Sequence, residues 1–366
     1  MREKIIRTML TVLALTAGAL PGLPARPALA APETLREESE RVLDAAGITR
    51  LRVENSRGSI EVRPSADGRI HLRALKVVRA QTADLARSLA SQTTVAAETN
   101  AGAWRVVVRY PQHTSLRIGF FDLIKGYQVP STQVRLLFEV PSAMAVDLRA
   151  VSGDITTASL PGLQTLTTTS GDVTVSVATG ACVVGTTSGD LELDTGAPAA
   201  LRARSVSGDM LISSAGGPLD AHSGSGDVTV RGAPDSLLIG TVSGDIQVER
   251  AKKGLRASST SGGIEIGVAS GFVAVETTSG SIELAIAPPF IGADISSGSG
   301  NVSVRFTSGA GAAIDMRTSS GTIDADAPLE VHDVNRHRLT GRLGLGNAPV
   351  SLRSTSGDIR ITTGGK

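Results

Sequence analysis

Apolar residues along most of this chain come in pairs two positions apart, and the pairs themselves recur. Counted from the Ser of each Ser-Gly step, apolar side chains stand three and five positions later: Val173 and Val175, Leu191 and Leu193, Met210 and Ile212, Val228 and Val230, Ile246 and Val248, Ile264 and Ile266, Ile282 and Leu284. A second pair stands six and four positions earlier, as in Cys182 and Val184, Leu201 and Ala203, Leu237 and Ile239, Val273 and Val275, Ile314 and Met316, Val350 and Leu352. Alternation with period two marks a strand with one buried face. The Ser-Gly steps begin at Ser152, Ser170, Ser188, Ser207, Ser225, Ser243, Ser261, Ser279, Ser299, Ser320 and Ser356. Most are 18 residues apart, and the final gap of 36 predicts one degenerate unit.

Self-similarity at a fixed period is the signature of a repeat architecture. Inward positions recur at nine residues and not at six, which rejects a hexapeptide helix. The pattern predicts an all-β fold: a single-stranded parallel β-solenoid (β-helix-like) with about 18 residues and two strands per coil, and an irregular N-terminal cap region. Each strand is expected to pair with its equivalents one coil above and below, about 4.8 Å away.

Two positions before each Ser stands another small hydroxyl, at Thr168, Thr186, Ser205, Ser223, Thr241, Ser259, Thr277, Ser297, Thr318 and Ser354. Strand parity turns these inward, so the core narrows at this edge into a hydroxyl column. The Gly is expected at a positive-φ corner, with the following Asp accepting a turn amide. At the opposite edge the connections vary, through Pro161-Gly162, Gly196-Ala197-Pro198, Gly216-Gly217-Pro218 and Pro288-Pro289.

Four regions are expected. Residues 1–30 read as a signal peptide, with basic Arg2, Lys4 and Arg7, a short apolar run and Ala28-Leu29-Ala30 as the cleavage site. Residues 31–47 read as a linker with a short helix. Residues 48–145 read as the irregular first part of the solenoid, with a helix at 82–92 and strands in TTVAAETN, AWRVVVRYP and QVRLLFEVP. Regular repeats then run over 146–366. The segment RIGFFDLIKGYQV, holding Phe120, Phe121 and Tyr127, is expected to cover the open end of the apolar column. A partner-binding loop is the alternative.

Composition narrows the chemistry. Gly 41 and 2% aromatic in 366 residues suit a repeat better than a bulky enzyme core, and a net charge of +1 gives no reason to expect nucleic acid. No apolar run after the leader is long enough to span a membrane. Cys182, the single cysteine, leaves no internal disulfide and reads as a small buried side chain.

The best candidate site is a ladder of Asp154, Asp172, Asp190, Asp209, Asp227 and Asp245, one per coil. Carboxylates one strand spacing apart repel, so each must be held by turn amides or by cations along the edge. The ladder lapses into Gly263, Ser281, Asn301 and Thr322, turn formers without a shared charge, which favours the turn role over calcium. His332, Asp333 and His337 lack a third partner at metal-ligand spacing and read as an exposed loop, while His222 faces outward by parity. No His and Asp accompany the Ser-Gly pairs in register, and the repeats lack the aromatics of a sugar-cleaving groove. The outward position four after each Ser is too mixed for an ice-binding array. No catalytic, cofactor-binding or metal-ligating residue is assigned, and no cofactor is expected.

The T-x-S-G-D-[IV]-x-[VI] rungs, the earlier VENSRGSIEV and the late GLGNAPVSLRSTSGDIRI resemble the bacterial "putative adhesin" solenoid family, also grouped as toast-rack domains. The resemblance spans residues 48–366. It implies a parallel β-solenoid in an extracytoplasmic, cell-envelope setting, periplasmic or at the cell surface, and brings no catalytic residues. The expected role is a non-enzymatic binding or scaffold protein whose partner is an envelope protein or glycan. A carbohydrate-active β-helix and a calcium-stabilised adhesion module are the alternatives.

Overall fold

The computed structural model describes residues 33–111, 129–196, 200–233 and 235–364. The expected signal peptide and the aromatic segment at 117–129 lie outside the described residues, apart from Val129. The chain divides into two compact units, residues 1–160 and 161–366.

The first unit contains β1 (Glu33–Leu43), β2 (Arg50–Arg57), β3 (Ile60–Pro64), β4 (Ile70–Ala80), α1 (Ala83–Gln92), β5 (Thr94–Asn100) and β6 (Ala103–Arg109). It ends with β7 (Ser131–Val140), β8 (Ala145–Ser152) and β9 (Ile155–Ala158). Residues 33–43, expected as a linker with a short helix, are a strand instead: β1 pairs antiparallel with β4 from Glu33↔Ala80 to Leu43↔Ile70. Its Glu and Arg residues favour helix locally, but the ladder of β4 and the packing of Leu35 override that preference. The helix expected at 82–92 is present, with the Thr82 hydroxyl accepting from the Leu85 amide as an N-cap. Its buried Ala86 and Ala90 pack on Val78 and Ala80.

The coil formed by β2 and β3 is not stacked in chain order. β2 pairs in parallel with β6 on one side and β8 on the other, and β3 likewise lies between β7 and β9. Beyond it the pairing turns antiparallel, β5 with β6 and β4 with β7. At its corner Asn55 replaces the small hydroxyl: its Nδ2 donates to the carbonyls of Gly58 (2.9 Å) and Val134 (2.8 Å), and its Oδ1 accepts from Tyr110 (2.7 Å).

The second unit begins with β10 (Gln164–Thr167), β11 (Val173–Ala178), β12 (Cys182–Ser188), β13 (Leu191–Thr195), β14 (Leu201–Ser207) and β15 (Met210–Ala215). It continues through β16 (Leu219–Ser223), β17 (Val228–Val230), β18 (Leu237–Thr241), β19 (Ile246–Ala251) and β20 (Leu255–Ser259). Then β21 (Ile264–Thr277) and β22 (Ile282–Ser297) each run through both walls, followed by β23 (Val302–Thr307). In one wall Cys182, Leu201, Leu219, Leu237, Leu255 and Val273 stand in register. In the other the matching row is Val173, Leu191, Met210, Val228, Ile246 and Ile264. All are buried, so the two alternating pairs read from the sequence form the core of a parallel β-solenoid.

The final 36-residue gap departs from expectation. After β24 (Ala312–Thr318) and β25 (Ile323–Asp326), the chain makes an antiparallel hairpin, β26 (Leu329–Asn335) and β27 (Arg338–Leu343), with β27 on the edge of β24. The last coil, β28 (Ala348–Ser354) and β29 (Ile359–Gly364), then inserts between two earlier ones. β28 lies between β22 and β24, and β29 between β23 and β25. The gap therefore holds a hairpin and not a degenerate coil, and in each unit a terminal coil sits inside the stack, with antiparallel strands beyond it.

Candidate binding surface

The Ser-Gly-Asp corner is built by contacts between coils. The inward hydroxyls are all buried, as parity requires. Thr241 donates to the Gly226 carbonyl (3.3 Å), Ser259 to Gly244 (3.3 Å), Thr277 to Gly262 (3.2 Å) and Ser297 to Gly280 (2.9 Å). Among the described residues Ser205 breaks this row, its buried Oγ having no partner.

The glycines are needed for a different reason from the one expected. None of the repeat glycines of the second unit adopts positive φ. Instead the corners approach so closely that a β-carbon at Gly189, Gly208, Gly226, Gly244, Gly262 or Gly280 would lie 1.9–2.2 Å from the carbonyl oxygen of the preceding corner glycine. Among the described residues only Gly58, in the first unit, combines positive φ (+105°) with such an approach.

The Asp ladder belongs to the same construction. Asp172 Oδ1 accepts the Asp190 amide at 2.9 Å, and Asp190, Asp209 and Asp227 accept the amides of Asp209, Asp227 and Asp245 at 2.9, 2.9 and 2.8 Å. Asp245 accepts from Gly263 at 2.7 Å. The five carboxylates from Asp172 to Asp245 thus each bond to an amide of the next coil. Where Asp gives way to Asn301, its Oδ1 serves the Asp358 amide (2.9 Å), and Asp358 in turn accepts from Thr322. The amide and hydroxyl of Thr322 hold the Asp358 carboxyl below its usual range.

The histidines separate. His222 is outward, as expected, and half-buried, with Nε2 3.0 Å from Asp220 Oδ1. Arg204 forks onto the same carboxylate (2.9 and 3.0 Å), and Arg202 reaches it at 3.2 Å. Burial raises the Asp220 pKa, but Arg204, His222 and Arg202 outweigh it and hold the group below normal. Burial and the Arg204 charge depress His222 despite Asp220. His332 and Asp333, expected in a loop, lie on the exposed strand β26, and His337 is in the turn after it. The ladder is bulged between Val331 and Asp333, and among the described residues no group of three metal-ligating side chains gathers there. Cys182 is buried in the wall, and desolvation pushes its thiol up to about 12.

Sequence reasoning missed two features. One is the Asp220 network, whose signal was the outward spacing of Arg202 and Asp220 at one coil. The other is an open cleft of about 400 Å³ bearing Arg231, Arg250 and Lys252. The run RAKKGLR at 250–256 signalled it, although the arginines otherwise look scattered. A larger hollow of about 590 Å³, among Phe306, Pro328, Leu343 and Leu345, is lined by no titratable side chain.

This corner chemistry repeats through the segment matched by the family model Toastrack DUF4097, which covers residues 48–281 and 253–362. The chain belongs to the Toastrack DUF4097 family. No curated protein matches it. Solved structures similar to this Toastrack chain include a "putative adhesin" of Bacteroides fragilis, 12% identical over 91% of this chain and 98% of that one, TM-score 0.25. A "putative adhesin" of Parabacteroides merdae is 8% identical over 89% and 95%, TM-score 0.27. A "putative lipid binding protein" of Parabacteroides distasonis is 13% identical over 89% and 96%, TM-score 0.26. Likeness at this level carries no functional weight.

Proposed function

We propose that this Toastrack chain is an exported, non-enzymatic β-solenoid that acts as a binding or scaffold protein of the cell envelope. The observation that carries this reading is the use of the Ser-Gly-Asp motif. Its glycines are packed against one another, its aspartates bond to amides of the next coil, and the hydroxyls two positions before it bond to corner carbonyls. The motif's aspartates and glycines are thereby committed to holding coils together, which leaves rigid outward faces as the working surface. Export rests on the basic, apolar and small-residue order of residues 1–30. Among the described residues no helix is long and apolar enough to cross a membrane. In-cell crosslinking of the native protein is expected to capture a specific envelope protein or glycan. No specific partner, together with turnover of a polysaccharide by the purified protein, would overturn the reading.

A further inference from the structure

Cations of the second unit either pair with a carboxylate or, like Arg256, Arg305, Arg336 and Arg342, have no ion pair among the described residues and lie apart from the cleft described above; three unpaired cations gather in that cleft. Arg202, Arg204, His222, Lys253, Arg317, Arg338, Arg353 and Arg360 are engaged by carboxylates. Arg231, Arg250 and Lys252 are exposed, line one cleft and have no ion pair among the described residues. The cleft arises because β17 stops at Val230 while its neighbours β15 and β19 run on to Ala215 and Ala251. Its floor is held by the Arg231 amide on the Ile212 carbonyl (3.0 Å), the Ala233 amide on Arg250 (3.1 Å) and the Lys252 amide on Ala233 (3.1 Å). Gly232 leaves that floor bare, with nothing within 4 Å of where a β-carbon would stand.

Arg231 stands on one rung and Arg250 and Lys252 two positions apart on the next, and three like charges gathered in one cleft repel one another until an anion joins them. The two rungs are about 4.8 Å apart, of the order of one sugar residue, so successive carboxylates of an acidic sugar chain can meet Arg231 on one rung and the Arg250–Lys252 pair on the next. Ser213, Ser214 and the single carboxylate Glu249 also line the cleft and can bond to sugar hydroxyls. No aromatic side chain lines it to stack a nucleobase.

We propose that this cleft binds an acidic polysaccharide, its carboxylates held by Arg231, Arg250 and Lys252. The assignment rests on the envelope-binding reading and names a ligand class for it. The test is fluorescence anisotropy of the full chain with labelled oligogalacturonate, and with a single-stranded oligonucleotide of equal charge as comparator. Oligogalacturonate should bind more tightly than the oligonucleotide, and its affinity should fall with added salt. The triple variant R231Q/R250Q/K252Q should weaken it at least tenfold. The variant G232W keeps every charge and fills the floor; it should weaken binding comparably with an unchanged melting temperature. R336Q/R342Q, which removes arginines of the β26–β27 hairpin, should change affinity less than twofold. Tighter oligonucleotide binding, no oligogalacturonate binding, or equal loss in the hairpin variant would overturn the proposal. A partner crosslinked in cells would survive those outcomes, so the two failures are separable.

Discussion

Substituting Gly244 by Ala probes the coil-to-coil contact at the corner. The added β-carbon would lie 2.2 Å from the Gly226 carbonyl oxygen and 2.7 Å from its carbon. Neither partner can rotate away, because both are main-chain atoms in a parallel ladder. Relief requires the two coils to separate locally. That separation breaks the Thr241 bond to Gly226 (3.3 Å) and the Asp245 amide bond to Asp227 (2.8 Å). Overpacking costs about 1–3 kcal/mol, and two hydrogen bonds contribute about 1 kcal/mol each, so G244A should destabilise by about 3–5 kcal/mol. Gly232→Ala is the control, since its β-carbon meets nothing within 4 Å. Both substitutions restrict the unfolded chain equally, which leaves the native contact as the difference. Because long repeats need not unfold in one step, the assay combines denaturant midpoints with hydrogen exchange at residues 226–246. G244A and G232A of equal stability would refute the reasoning.

Three further outcomes are expected. Asp227→Asn keeps an acceptor for the Asp245 amide and should be nearly neutral, whereas Asp227→Ala should cost about 0.5–1.5 kcal/mol in denaturant melts; the same geometry predicts a melting temperature unchanged by chelator. Asn55→Ala strips the Gly58 and Val134 carbonyls and the Tyr110 hydroxyl of a buried partner and should cost at least about 2 kcal/mol, read as a lowered thermal midpoint. His222 has a folded pKa below its unfolded one, so below pH ~6.5 the unfolded state takes up the proton first and wild type loses stability. Asp220, also depressed, loses its contribution only as pH falls further, through its folded value. The stability of H222Q relative to wild type should therefore rise between pH 7.5 and 5, and a constant difference would refute this assignment.

The walls were legible because period-two alternation fixes which side chains face inward, and a constant spacing fixes parallel register. Thr241 and Ser259 could thus be placed inside from parity alone. The reason for the corner glycines was not legible, since a positive φ and a close main-chain approach both exclude a β-carbon and leave the same letter. Stacking order was also hidden. Val350 is an apolar inward residue that fits beside either Ala293 or Ile314, and spacing specifies register without naming the neighbour. In β1 the exposed Glu and Arg of an edge strand read as helix because little of it is buried. The cations of the cleft lie on outward positions, where the repeat imposes no pattern.

The interposed coil decides how the end of the chain is held together. Val350 stands between Ala293 and Ile314, so β22 and β24 meet only through its strand and, among the described residues, share no ladder of their own. Residues 348–364 thus act as a keystone: the segments before and after the hairpin are joined through the last stretch of the chain, and deleting it leaves two ladder edges unpaired.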